Sequence, residues 1–147
     1  MRIIITDDQK RIRLNPRRIK SVCSRIKKAL RIPQKNAFAV SFLSKADIKA
    51  LNRKYFKKNR ATDVIAFECR GSASRGLKAP YEDYLGDIII CPEVVFDNSK
   101  LYDNDFFAEL TLCIIHGVLH LSGYKDITKK DRLRMQRRER QVLGRLE

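Results

Sequence analysis

Two histidines on one predicted helix are the residues of this chain best suited to metal chemistry. His116 and His120 are the only two in the sequence, and residues four positions apart share a helix face, about 40° apart and one turn along. The preceding run, residues 106–115, is apolar almost all round, which predicts that this helix is buried. One buried histidine is usually a core residue with one hydrogen bond, whereas a pair at this spacing favours a metal site.

A carboxylate after the helix is a third candidate ligand. Gly123 stands where a glycine commonly ends a helix, and Asp126 follows it by three positions, where the chain can fold back toward the histidines. Cys113 faces the same side but lies seven residues before His120, about 10 Å along the helix axis. One ion cannot reach both, so we expect a site of His116, His120 and Asp126 with open positions for water or substrate.

The rest of the sequence predicts the elements that must position this helix. Apolar runs bounded by turn residues predict strands, and capping residues before apolar residues at helical spacing predict helices. The strands are predicted at residues 1–6, 37–43, 63–68 and 84–91, and the helices begin at Asn15, Ser44, Pro92, Asp103 or Asn104, and Thr128. This order predicts one α+β domain over residues 1–147, with a small mixed four-stranded sheet, surrounding helices and a central buried histidine helix.

One segment between the last two strands has a composition that invites a second interpretation. Residues 71–76 read GSASRG and could be taken for a phosphate-binding loop. The segment lacks the Walker pattern and does not open a helix, so a plain loop is the favoured interpretation.

The charge distribution predicts a polyanionic partner. The formal net charge is +15, and residues 9–46 contain no acid against twelve lysines and arginines. A second basic cluster lies within residues 53–60, and the segment from Lys125 carries nine basic residues against four acids. A single such run is usually a solvated helix face, but three on one small domain favour nucleic acid. With aromatic residues at 8%, binding should depend on phosphates and RNA shape more than on base stacking.

Other features of the composition bear on the compartment. The four cysteines form no C-x-x-C pair, which is typical of reduced, buried thiols in a cytosolic protein. No apolar run reaches the roughly 18 residues that a membrane helix needs. The first residues, MRIIITDDQK, meet two aspartates too early for a secretory signal. We therefore expect a cytoplasmic protein without a membrane segment.

Several sequence blocks, in the same order, carry a family resemblance. They are HGVLHLSGYKD at 116–126, LNRKY at 51–55, TDVIAF at 62–67, LGDI at 85–88, and Met135 with Glu139. The histidine block resembles the H-G-x-L-H-L-x-G-Y-D-H signature of the YbeY family of metal-dependent endoribonucleases. The other blocks are similar to the family's LN-x-x-Y, TDVLSF, LGDI and M-x3-E patterns. The resemblance covers about the whole chain, and the histidine block is a specific motif.

Two positions depart from the family pattern. The family's third ligand is a histidine and the aligned residue is Asp126, whose oxygen makes the site more tolerant of harder ions. The family has an arginine after the tyrosine of the LN block, and this chain has Phe56 there, which removes a cation that could hold a phosphate. The cations expected to bind RNA nearby are Arg53, Lys57, Lys58 and Arg60.

The resemblance implies a single-strand-specific endoribonuclease. Its substrate would be ribosomal RNA, in the maturation of the small-subunit 3′ end and in ribosome quality control, with the ribosomal subunit as partner. His116, His120 and Asp126 would hold one ion, with zinc as the first expectation, to activate water and polarise a phosphodiester. Glu109 is either a second carboxylate that orients a ligand or an acid favoured by the helix dipole.

Two other functions fit parts of the sequence. In the first, the metal is structural and the protein is a ribosome-assembly factor that grips RNA with weak or no cleavage, an interpretation that Phe56 favours. In the second, the chain is a metal-dependent hydrolase of another substrate class, which the strong basic charge disfavours. Substitution of His116 distinguishes nuclease from binding protein, because cleavage should vanish while RNA affinity survives.

Overall fold

Four strands and five helices make up the described part of the chain, residues 2–69 and 83–146 of a computed structural model. The predicted loop at 71–76 lies outside the described residues. The elements, in chain order, are β1 (Ile3–Asp7), α1 (Pro16–Ala29), β2 (Ala37–Phe42), α2 (Lys45–Phe56), β3 (Val64–Glu68), β4 (Tyr84–Ile90), α3 (Pro92–Leu101), α4 (Phe106–Leu121) and α5 (Lys129–Leu146). Each predicted strand and helix is present, with ends that differ by one or two residues.

The strands form one mixed sheet in the order β1-β2-β4-β3. β1, β2 and β4 pair in parallel, and β3 joins β4 as an antiparallel edge. The predicted α+β fold with a mixed four-stranded sheet is therefore confirmed. None of the described helices is long and apolar enough to span a bilayer.

Alternation along the strands sends side chains into two cores on opposite faces of the sheet. Phe38, Val40 and Phe42 of β2 join the larger core, which α1, α4 and α5 complete. Ile65 and Phe67 of β3 join the smaller core, which α2 covers. The histidine helix α4 is thus the central buried helix that its composition predicts.

A glycine between the two histidines lets α4 lie close against the sheet. A Cβ atom added at Gly117 would stand 2.6 Å from Cγ2 of Ile88 on β4, and Ile88 is fully buried. Because any side chain would push the helix from β4, Gly117 fixes how near the histidines approach the strands.

Side-chain caps start four of the five described helices, with α3 as the exception, and one cap differs from the prediction. Asn15 accepts from the backbone of Arg17 at 3.1 Å, and Thr128 Oγ1 accepts from the Asp131 amide at 3.0 Å in the predicted capping box. The prediction that Asp103 or Asn104 caps α4 was wrong. Asp105 is the cap, because its carboxylate accepts from the amide of Ala108 at 3.2 Å.

α5 docks on α1 through two buried side chains and a reciprocal pair of arginine bonds. Met135 and Val142 are the buried residues of α5. Arg145 donates to the backbone carbonyl of Ala29 at 3.1 Å, at the end of α1. Arg25 of α1 donates in turn to the carbonyl of Leu146, at the end of α5. Each helix therefore satisfies a terminal carbonyl of the other.

Candidate metal centre

The C-terminal half of α4 and the turn after it bring three possible ligands together. His116 and His120 lie one turn apart on the helix face that looks toward β3. Gly123 has a φ of +102°, a conformation that glycine adopts without strain, and its amide donates to the carbonyl of His120 at 3.0 Å. The turn reverses the chain, so that Asp126 returns to the histidines as predicted.

The distances between the donor atoms fit a single ion. Nε2 of His116 lies 3.2 Å from Nε2 of His120, and Oδ2 of Asp126 lies 3.4 Å from Nε2 of His120. One donor atom from each of the three residues falls within 4.8 Å of the others. Two ligands bound tetrahedrally at about 2.0–2.1 Å stand about 3.3 Å apart. Two of the three donor pairs therefore have the spacing of a first coordination shell, and the third pair lies within 4.8 Å.

A carboxylate of α5 orients the first histidine. Glu139 Oε1 lies 2.6 Å from Nδ1 of His116, so the bond fixes the ring and leaves Nε2 pointing at the other donors. Metal-bound histidines characteristically make this kind of bond through their second nitrogen.

Glu139 is the carboxylate that bonds His116, whereas orienting a ligand was one of two interpretations of Glu109. Glu109 is seven residues, or about 10 Å along the axis, from His116, and its carboxylate accepts from the side-chain amide of Asn104 at 2.8 Å. Glu139 belongs to the M-x3-E block of the sequence. The sequence interpretation named this block only as part of the family resemblance and gave Glu139 no role.

The two histidines have different electrostatic surroundings. Burial lowers the pKa of His116, but the hydrogen bond and charge of Glu139, with the charges of Asp126 and Asp63, outweigh it and raise that pKa above its ordinary value. Burial, followed by the neighbouring His116, lowers the pKa of His120 below its ordinary value. His120 therefore favours the neutral form that a metal ligand needs.

Cys113 has an environment that disfavours metal binding. Its thiol donates to Oδ2 of Asp63 at 3.7 Å. Burial, with the charges of Asp63 and Glu109, raises the pKa of Cys113 well above its ordinary value, so the thiolate that binds metals is disfavoured. The group of possible ligands found among the described residues does not include Cys113, in agreement with the sequence argument from distance.

A groove of about 430 Å³ opens beside the three ligands. Lys58 and Arg60, from the loop after α2, line it together with the histidines, and Asp63 also lines it. Cations and candidate ligands in one groove suit a phosphodiester, whose neighbouring phosphates need positive charge. Lys57 and Arg53, also expected to bind RNA, are exposed but do not line the groove.

A buried amide holds the loop that carries these cations. Asn52 of α2 is 4% exposed, and its side chain donates to the backbone carbonyl of Arg60 at 3.0 Å. The bond ties Arg60 to the helix and keeps the loop against the groove. Sequence reasoning named Asn52 only as part of the LN block, and its role depends on this contact.

Phe56 lines the same groove where the family pattern has arginine. Its ring stacks on that of Phe67, with centroids 5.9 Å apart and planes at 28°, so part of its surface belongs to the smaller core. The remaining surface faces the groove beside Lys58. Phe56 therefore lines the groove and also packs against the smaller core.

Two histidines and a carboxylate that could hold a metal ion, in a groove that two cations also line, fit a metal-dependent hydrolase. The family model for "Endoribonuclease YbeY" matches residues 4–147. Proteins of that name from Legionella pneumophila and Staphylococcus carnosus are 38% and 35% identical over 119 residues, which is 80% of this chain and 73% and 76% of theirs. The chain belongs to the YbeY endoribonuclease family.

The fold of this chain is similar to a known structure. A Thermotoga maritima protein whose solution structure is known superposes with a TM-score of 0.61 at 25% sequence identity, covering 97% of this chain and 89% of that chain. The match extends over the sheet and the helices that form the groove.

Proposed function

We propose that this protein is a metal-dependent endoribonuclease that cuts single-stranded RNA, with ribosomal RNA as its substrate. The observation that carries the proposal is the close approach of three donor atoms, His120 Nε2 being 3.2 Å from His116 and 3.4 Å from Asp126, inside a groove lined by cations. Family membership supports the reaction class. Maturation of the small-subunit 3′ end, in the cytoplasm, is the process that we infer.

Zinc is the ion that we propose for the centre. Two imidazole nitrogens and one carboxylate oxygen suit zinc, and the oxygen also tolerates harder ions such as manganese. The bound ion would supply Lewis-acid polarisation of a phosphodiester and activation of water. Glu139 holds the ring of His116 in place through its 2.6 Å contact, and Asp126 lowers the net positive charge of the shell.

The groove cations account for RNA binding in this proposal. Lys58 and Arg60 would hold the phosphates next to the cleaved bond, and Arg53 and Lys57 would extend that contact outside the groove. Binding of this kind releases counterions, so the logarithm of affinity should fall with the logarithm of salt at about 0.7 per neutralised phosphate. An affinity that does not change with salt would contradict the proposal.

The decisive experiment compares cleavage and binding in one protein. The chain is stripped of metal with a chelator, reloaded with zinc, and given a single-stranded oligoribonucleotide. We expect cleavage only in the reloaded protein, and none in His116→Ala or His120→Ala at any metal concentration tested, with RNA affinity retained. Binding without cleavage in the zinc-loaded wild type would overturn the proposal in favour of an RNA-binding assembly factor.

A further inference from the structure

The outward face of α5 carries a row of cations outside the metal-site groove. The members of this outer stripe are Lys129, Lys130, Arg134, Arg137 and Arg140, all exposed. At 100° per residue they lie within about 140° of one another and extend about 16 Å along the helix. The buried residues of α5 lie on the opposite face, so the outer stripe points to solvent.

No carboxylate of the described residues lies within ion-pair distance of the outer stripe. The acids of α5 within this part of the chain have other partners. Asp131 accepts from the amide of Thr128 at 3.3 Å, and Glu139 bonds His116. The charge of the stripe is therefore available to a partner outside the chain.

The surroundings of the stripe favour a polyanion over a membrane. Four of its cations and Leu133 line a shallow depression of about 500 Å³. Leu133 is 50% exposed, and it is the only large apolar residue of α5 that is exposed among the described residues. A helix that lies in a bilayer surface needs a broad apolar face with several such residues. Regularly placed guanidinium and ammonium groups match a sugar-phosphate backbone.

We propose that the outer stripe is a second RNA-binding surface, which holds the backbone of RNA flanking the segment in the groove. This inference rests on the proposed function. Glu139, which bonds His116, lies about 150° around the helix from the middle of the stripe, so the groove and the stripe lie on opposite sides of α5. The stripe then selects long or structured RNA without taking part in cleavage.

Two charge-matched variants test the stripe. In one, Arg134, Arg137 and Arg140 of the stripe are changed to glutamine. In the other, three exposed cations outside the three basic runs of the chain are changed to glutamine, which lowers the net charge equally. The control positions are Arg2, Lys49 and Lys100. Both variants carry His116→Ala to prevent cleavage, and circular dichroism and thermal melting check that both fold.

The measurement is the affinity for a long ribosomal RNA fragment across a range of salt concentrations. Loss of three phosphate contacts should lower the slope of log affinity against log salt by about 2.1 on single-stranded RNA in the stripe variant. The slope measured for the control variant should differ from the parent slope by less than about 0.7, the value for one phosphate contact. Arg134→Lys, Arg137→Lys and Arg140→Lys together should keep the parent slope, because charge is retained.

Cleavage by proteins with His116 intact separates this inference from the proposed function. The stripe variant should raise KM for the long fragment and leave kcat, and the KM for a short oligoribonucleotide that fills only the groove, unchanged. Equal losses of RNA affinity in the two three-residue variants would overturn the inference. An unchanged RNA affinity would also overturn it, and is the result expected if the stripe holds an acidic protein. Absence of cleavage in the wild type would defeat the proposed function, while the binding comparison would still report on the stripe.

Discussion

α4 and α5 meet at the candidate metal centre, but different kinds of contact hold each helix in place. Nine of the 16 residues of α4 are buried, against two of the 18 residues of α5. α4 is positioned by packing on the sheet, with Gly117 setting its distance from β4. α5 is positioned by Met135, Val142 and polar contacts at its end. The buried helix carries the two candidate histidine ligands, and the polar helix carries the carboxylate bonded to one of them.

The largest effect is expected in the segment that joins the two helices. Asp126→Ala should lower zinc affinity by more than about tenfold, because removal of a ligand should cost at least as much as disturbing its surroundings. Asp126→His should keep zinc binding, since an imidazole replaces the carboxylate. Competition with a chromogenic chelator measures both. Undiminished zinc affinity in Asp126→Ala would mean that the third ligand lies elsewhere.

The contribution of α5 to the centre is tested by a carboxylate pair. Glu139→Gln should lower zinc affinity by about tenfold, the low end of the effect of groups that hold metal-bound histidines, because glutamine keeps an acceptor oxygen. Glu109→Gln is the matched control on α4 and should leave zinc affinity unchanged, since Glu109 bonds Asn104. Equal affinities in the two variants would show that α5 does not orient His116.

Substitution of one glycine on each helix tests whether close packing positions α4 but not α5. In Gly117→Ala the new methyl would stand 2.6 Å from Ile88, so the variant should lose about 1–3 kcal/mol of unfolding free energy. In Gly144→Ala on α5 no atom lies within 4 Å of the added carbon apart from the adjacent residues and the helix's own backbone. That variant should gain up to about 1 kcal/mol from helix propensity. Urea denaturation measures the unfolding free energy of both variants. Changes of the same sign would contradict the idea that close packing positions α4 but not α5.

The smallest effect is expected outside both helices, at Phe56. Phe56→Arg places a cation in the groove beside Lys58 and should raise the cleavage rate severalfold by stabilising phosphate charge in the transition state. Loss of the stacking contact with Phe67 should cost on the order of 1 kcal/mol. Single-turnover cleavage measures the rate, with Phe56→Leu as the uncharged control. A folded variant without a rate gain would mean that Lys58 or Arg60 already stabilises the phosphate charge in the transition state.

The same contrast explains how much the sequence could predict. Helical spacing, apolar burial and the terminating Gly123 are local signals, and they predicted α4, its two histidines and the return of Asp126. The bond from Glu139 to His116 joins residues 23 positions apart on different helices, and no local pattern encodes that distance. The cap of α4 was predicted one or two residues early, because Asp103, Asn104 and Asp105 are all capable caps.

The bond between His116 and Glu139 also gives the centre an order of assembly. During translation at about 5–20 residues per second, Glu139 is made roughly 1–5 seconds after His116. Until α5 exists and its arginine bond to Ala29 forms, His116 lacks the partner that fixes its ring. The histidine helix can thus form before the centre is complete. Full activity should appear only when α5 docks.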